Sequence, residues 1–462
     1  MNTIDFIEII VWIAITLGAG IYAGLRADTA TFWVNRRSTG TARLIFTIAS
    51  TQVGAGAILG IASATFSTGL GFGLVSLVST VTGFLALAYL APALKRFGDR
   101  HGAITLQEIL RVRYSRTVEI VSSLVVLFTY ISILAVQFLA ASFLIALSTG
   151  WDIRLAIVLA TLSCIVYSSI AGIKGDIVTD ILHFWAKAIV FLMIVVPVLI
   201  IRHPFSGWVG LVPPQIWSPL TFGGWPFLSL GLILGFIVPL MQPELWIKIY
   251  ASKSPPQSRK VLIVSSLAII PFYLFAIYAG ILGRTIYFGQ LNPDLVVIRL
   301  LQDHLPIGLL GLGVAAIFSD IISTADTMIV VISGTIFRNL LQKDASSEHN
   351  LKISRATTAI VGIVGALMAI SVPNLVQLLI NAFYVLLVIG PALLGVRLWS
   401  RATAKGAVVS IISGAIAAGI FLFISPREAF LPGLLVSILS FIIVSLSTMH
   451  SLSEVREPAS IF

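Results

Sequence analysis

The sequence predicts an all-α polytopic membrane protein of 13 transmembrane helices, and three observations carry that prediction. Hydrophobic residues make up 58% of the 462 and charged residues only 10%, and the mean hydropathy is +1.04. That composition belongs to chains embedded in lipid. Second, apolar runs of about 20 residues, the length that crosses a bilayer as a helix, recur along the chain. They lie near 4–24, 43–69, 72–93, 117–147, 154–172, 178–201, 226–247, 261–285, 306–337, 353–372, 374–396, 406–424 and 430–449. Third, the lysines and arginines collect in alternate connections. With the N-terminus outside, 23 of the 29 fall on the inner side, as the positive-inside bias requires. This expects a multi-pass cell-membrane protein with its N-terminus outside and its C-terminus cytoplasmic.

The elements follow in order. The first run, 5–24, has no charge in its core and is long enough to stay in the membrane rather than be removed as a signal. The boundaries at Gly71 and Pro373 are tight turns between adjacent runs. The connection at 203–225 is rich in Pro, Gly and Trp, and Trp208, Trp217 and Trp225 read as interfacial anchors. A net charge of +10 would suit nucleic acid, but its loop-by-loop distribution is a topology signal. Cys164 is the only cysteine, which removes disulfides and thiolate metal sites. There is no Gly-rich loop ending in Lys-Ser/Thr, no HExxH and no GxSxG, so enzyme chemistry has no sequence basis.

The polar chemistry concentrates in 311–339, GLGVAAIFSDIISTADTMIVVISGTIFRN. Asp320, Ser323, Thr324 and Thr327 fall at i, i+3, i+4 and i+7, one face of a helix, with Asp326 beside Ser323 on its flank. Carboxylates and hydroxyls are costly at membrane depth and mark ion or substrate paths. Such oxygens suit a small hard cation such as Na⁺. The plainer alternative is helix–helix bonding through Ser and Thr.

Two spans carry helix breakers. STQVGAGAILG sets Gly54, Gly56 and Gly60 beside Ser50, Thr51 and Gln52; GFIVPLMQPELW sets Gly235, Pro239 and Pro243 beside Gln242 and Glu244. Gly and Pro weaken the helical ladder and free backbone groups, which at that depth must face protein or water. A pair of broken spans opening two five-span segments, 43–201 and 226–396, points to a transporter's central site between inverted repeats. The polar residues beside the breaks, Thr51, Gln52, Gly54, Gly56, Gly235, Pro239 and Gln242, are the expected solute contacts. Gln377 and Asn381, with Tyr384 on the same face, are further candidates. Asp176, Asp180, His183 and Lys187 share another stripe. Asp180 reads as an ion ligand; the other three read as a wet cytoplasmic entrance with Lys187 snorkelling to the interface. Glu244 reads either as a solute contact or as an inner-mouth partner of Lys248.

Several segments resemble the sodium:solute symporter family: FWVNRRSTG at 32–40, ASTQVGAGAILG at 49–60, ITLQEILRVRYS at 104–115, AGIKGDIVTDILHF at 171–184, QPELWIKIYASKS at 242–254, GILGRTIY at 280–287 and IISTADTMIVVISGTIFRN at 321–339. Their order matches the family over nearly the whole chain. The resemblance implies a LeuT-like 5+5 inverted repeat with one extra N-terminal helix (4–24) and two extra C-terminal helices (406–449). It implies a sodium-coupled symporter importing a small polar solute, an amino acid or small carboxylate, as a monomer or loose oligomer. It also implies one Na⁺ site, formed by the carbonyls of Ser50, Val53 and Asp320 and the hydroxyls of Ser323 and Thr324. A second would use Asp180, Ser323, Asp326 and Thr327.

The chain departs from the family pattern at three places. Asp320 stands where the family usually has a small apolar residue, Gln52 where proline transporters have an aspartate, and Gly235 and Pro239 where those transporters have aromatics. A carboxylate at 320 either strengthens Na⁺ binding or titrates and brings a proton into the cycle. Proton coupling through Asp320, Asp326 or Asp180 is therefore the alternative to sodium, and a transporter-like sensor or channel is the alternative class.

Overall fold

A computed structural model describes residues 2–25, 28–54, 56–343, 348–371, 382, 385–424 and 430–448. Among the described residues no strand forms and helices dominate. The principal ones are α1 (Thr3–Gly24), α2 (Thr41–Gln52), α3 (Ile61–Thr68), α4 (Leu70–His101), α5 (Arg116–Thr149), α6 (Ile153–Lys187) and α7 (Gly224–Ile237). They continue with α8 (Pro243–Tyr250), α9 (Pro255–Tyr287), α10 (Leu309–Gly334), α11 (Glu348–Ser371), α12 (Gly390–Leu398), α13 (Ala404–Ile424) and α14 (Phe430–Ser447). Nine of the described helices are long and apolar enough to cross a membrane, or up to ten if one bent pair counts as a single span; three shorter apolar helices accompany them.

α10 is the hub. Its apolar window is wholly buried, whereas that of α1 is 17% buried and faces outward. A helix that carries hydroxyls and carboxylates is therefore enclosed by protein on every side, which is how a membrane fold shelters such groups from lipid.

Both expected breaks are present. α2 stops at Val53 (φ −94°, ψ 72°), and the chain resumes as a π-helical turn, Gly56–Gly60, leading into α3. The two halves meet at 50°. Gly54 is required here: a Cβ would stand 2.2 Å from Thr324 Oγ1, so only glycine lets the break press against α10. In the other half α7 passes through a 3₁₀ turn, Val238–Met241, and Gln242 is extended (φ −83°, ψ 104°) before α8 starts at Pro243. The missing N–H of Pro243 costs nothing at a first helical position.

α6 also bends. Gly172 takes φ +54°, ψ −163° inside it, and a Cβ there would meet the Phe32 ring at 2.4 Å. The bend separates the expected runs 154–172 and 178–201. The second run continues past Lys187 through a π-helical stretch, Ala188–Val195, and ends at Arg202.

α1 is clasped to α10. The Asp5 carboxylate caps its own helix through Asn2 N–H (3.1 Å). It also accepts from the Gly308 (2.8 Å) and Gly311 (3.1 Å) amides at the start of α10. Further along, Trp12 Nε1 donates to Ser319 Oγ.

The connection at 203–225 folds into short helical turns and lies against the start of α4, where the Gly71 amide donates to Thr221 Oγ1 at 2.8 Å. Trp225 is exposed, as an interfacial anchor would be, and Trp217 lies at the edge of exposure. Trp208 differs. It is buried and donates Nε1 to His203 O at 3.0 Å, because the turn from Phe205 folds it back onto Tyr278.

Candidate functional site

The break of α2, the middle of α10 and the second half of α6 converge, with α8 closing the cluster. Ser50 Oγ and Ser323 Oγ lie 2.8 Å apart, and Ser323 Oγ donates to Asp180 Oδ1. Thr324 Oγ1 donates to Thr51 O (3.1 Å) and to Asp320 O (3.2 Å). Thr327 Oγ1 lies 3.1 Å from Thr51 Oγ1 and donates to Asp176 Oδ1 at 2.7 Å. Asp180 Oδ2 accepts from Thr47 Oγ1. The fold thus brings together Ser50, Val53, Asp320, Ser323, Thr324, Asp180 and Thr327. Asp326 lies apart, and its Oδ1 accepts from Ser168 Oγ at 2.6 Å.

Two buried lysines complete the cluster, and the sequence had placed both elsewhere. Lys187 does not snorkel. Its side chain is fully buried, and Nζ donates to Ser50 O (2.8 Å), Val53 O (2.9 Å) and Asp320 Oδ1 (3.1 Å). The reason is position: its helix continues to Arg202, which puts Lys187 at mid-helix facing the α2 break. Lys248 is not paired with Glu244. Its Nζ donates to Thr51 Oγ1, Thr47 O (3.1 Å), Asp180 Oδ2 (3.3 Å) and Thr327 Oγ1 (3.4 Å), and lies 3.8 Å from Asp176 Oδ2. Glu244 instead accepts from Tyr130 OH. Asp176 and His183 are buried as well, so a wet entrance is not what that stripe forms. Thr327 and Lys248 draw Asp176 into the cluster, and Trp12 packs on His183.

Next to the cluster, between the two breaks, is a cavity of about 260 Å³. Thr51, Gln52, Gly54, Gly56, Gly235, Pro239 and Gln242 all line it, as expected of solute contacts. Gln52 Nε2 donates to Gln242 Oε1 at 3.4 Å, joining the two breaks. Thr51 and Thr324 belong to the cavity wall and to the cation cluster at once. Gln377, Asn381 and Tyr384 lie outside the described residues. Sequence reasoning missed Ser76, Ser79 and Thr80 of α4, Gln137 of α5 and Tyr273 of α9. Ser76, Ser79 and Thr80 fall at i, i+3 and i+4, so helical spacing on one face of α4 could have marked them, whereas Gln137 and Tyr273 are single polar groups on long apolar helices.

A model of the sodium:solute symporter family matches residues 32–208 and 224–414. The chain belongs to the sodium:solute symporter family. Among its relatives in that family, a sodium/pantothenate symporter of Escherichia coli (strain K12) is 24% identical over 95% of each chain. A sodium/proline symporter of Staphylococcus aureus (strain USA300 / TCH1516) is 24% identical over 96% of this chain and 93% of that one. The fold is similar to that of a Na⁺-coupled sialic acid symporter in a substrate-bound outward-open state, with a TM-score of 0.82 at 19% identity, covering 96% of this chain and 98% of the other. The LeuT-like fold expected of this sodium:solute symporter family member is therefore the one it has, and the family is one of transporters that use Na⁺.

Proposed function

We propose that the protein is a secondary active symporter that moves a small polar organic solute across the cell membrane by alternating access. One observation carries this reading: a cavity with polar groups in its wall lies where both broken helices meet, and it shares Thr51 and Thr324 with the cation cluster. A solute there and a cation beside it would hold the same hydroxyls, so each favours the state that binds the other. The cavity is small beside ligand pockets of ~300–1,000 Å³, which suits an amino acid or small carboxylate. Gln52, Gln242, Glu244 and the backbone freed at Gly54 and Pro239 are among the contacts available to it.

The reading includes 13 spans with the N-terminus outside, halves at 43–201 and 226–396, and the extra helices at 4–24 and 406–449. Family membership supports Na⁺ as the driving ion. Its oxygen sets would be Ser50, Val53, Asp320, Ser323 and Thr324 for one ion, and Asp180, Ser323 and Thr327 for a second. One observation favours a second reading, coupling without Na⁺ at these sets: each already holds an ammonium group.

A thermal-shift screen of pantothenate, L-proline, N-acetylneuraminate and further carboxylates in NaCl and choline chloride tests the reading. A solute that binds the native state raises its melting point, and Gln52→Ala should remove that rise. Saturable solute flux in proteoliposomes separates a carrier from a channel; ion conductance without it would refute the proposal.

A further inference from the structure

The two oxygen sets that the family resemblance assigns to sodium are both satisfied from within the chain. An ammonium group has three protons to donate and no acceptor capacity. That of Lys187 finds three oxygens, the carbonyls of Ser50 and Val53 and the carboxylate of Asp320, at 2.8, 2.9 and 3.1 Å. These are the carbonyls that the break of α2 frees, and among the described residues no backbone N–H donates to them. Lys248 reaches the neighbouring set, with Thr47 O at 3.1 Å and Asp180 Oδ2 at 3.3 Å. Both lysine side chains are at most 1% exposed, so neither charge is answered by water. Lys187 is answered by Asp320, and Lys248 by Asp180 with Asp176 at 3.8 Å.

A sodium ion does not fit beside them. Placed on the Ser50 and Val53 carbonyls, it would take the oxygens of the Lys187 ammonium and face that charge at roughly 4 Å. At the effective dielectric of protein interiors, such a like-charge contact weakens binding about a thousandfold. Two Na⁺ ions added to two lysines would also leave the buried cluster with more cations than the carboxylates beside them.

We propose that Lys187 and Lys248 are tethered replacements for the coupling sodium ions, so that this protein closes around its solute without binding Na⁺ at either set. Lys187 does from α6 what an ion would do from solution: it ties the broken end of α2 to Asp320 on α10. Lys248 ties α8 to α2 and α6 in the same way. The inference rests on the transporter reading above but is measured without any solute.

The test is equilibrium binding of radiolabelled Na⁺ to the purified full-length protein in nanodiscs, with melting in NaCl and choline chloride of matched ionic strength. The parent should show no saturable Na⁺ binding and equal melting points in the two salts. Lys187→Ala uncovers the carbonyls and leaves Asp320 as the only counter-charge. It should bind Na⁺ at least about a thousandfold more tightly than the parent, and adding Ser323→Ala should weaken that binding. Lys187→Gln, which keeps a donor in place, guards against loss of folding and should gain Na⁺ binding too. Saturable Na⁺ binding by the parent that Ser323→Ala removes would overturn the proposal, as would parent and both Lys187 variants all failing to bind. Counterflow of pantothenate, L-proline or N-acetylneuraminate tests the transporter reading separately. Its failure beside absent Na⁺ binding would remove that reading and leave the lysine replacement in place.

Discussion

Replacing Asp320 with Asn leaves the Lys187 ammonium buried against two carbonyls with no counter-charge, and the cost follows from the geometry. The pair is 3.1 Å apart with both side chains at 0% exposure. At an effective dielectric of 20 the attraction at that distance is about 5 kcal/mol. Desolvation opposes most of it when the pair forms as a whole, so the net worth of the intact pair is small. Removing one partner is different, because the desolvation cost of the other remains. Asp320→Asn or Lys187→Met should each destabilise by about 3–5 kcal/mol. The double variant Lys187→Met/Asp320→Leu removes both charges and should recover to within about 2 kcal/mol of the parent, a coupling of some 3 kcal/mol or more. Asp320 Oδ2 has no hydrogen-bond partner among the described residues, so no second bond holds it when Lys187 is gone. Thermal or denaturant unfolding in nanodiscs, run as a double-mutant cycle, measures the coupling. Additive effects, or single variants within about 1 kcal/mol of the parent, would refute the pairing.

Three further outcomes are expected. Gly54→Ala drives a methyl group to within 2.2 Å of Thr324 Oγ1 and should abolish solute-dependent stabilisation while the protein still folds; Gly54→Ala/Thr324→Ala should restore part of it, and no restoration would mean that the close approach is not the cause. Gln242→Ala should weaken solute binding up to about tenfold, the worth of one hydrogen bond, with melting of the solute-free protein unchanged. An unaltered solute affinity would remove Gln242 from the site. At the end of the helix that continues α6, His203 Nε2 and His304 Nε2 lie 2.7 Å apart, and burial together with His304 and Arg202 holds the His203 pKa below its usual value. A histidine whose folded pKa is depressed contributes stability above its unfolded pKa of about 6.5 and loses it as pH falls. Hydrogen exchange at 199–208 and 296–304 should therefore quicken between neutral and mildly acidic pH, and His304→Gln should flatten the change; exchange independent of pH would refute it.

The polar stripe on α10 and the two breaks were legible because each is local. Helical spacing puts Ser323, Thr324 and Thr327 on one face, and Gly and Pro mark where backbone groups are freed. The lysines were not legible in that way, because their partners are remote in sequence and are reached only through a long side chain. One signal for Lys187 was nonetheless present: it lies near the middle of the apolar run 178–201, too deep to snorkel cheaply. Its depth also gives Asp320 a role that the family pattern left unexplained, as the carboxylate that balances a buried ammonium. Asp326 shows the opposite limit. The resemblance grouped it with Asp180, Ser323 and Thr327, and packing sets it against Ser168 instead.

The clasp between α1 and α10 makes the outermost helix a passive gauge of the innermost one. Asp5 holds the first turn of α10, and Trp12 reaches Ser319, immediately before Asp320. Any tilt of α10 must therefore carry α1 with it or break those bonds. Ile7 and Tyr22 face outward on α1, so a spin label or fluorophore at either would report the tilt through the lipid phase, with the cavity and the ammonium groups of the neighbouring cluster left chemically untouched.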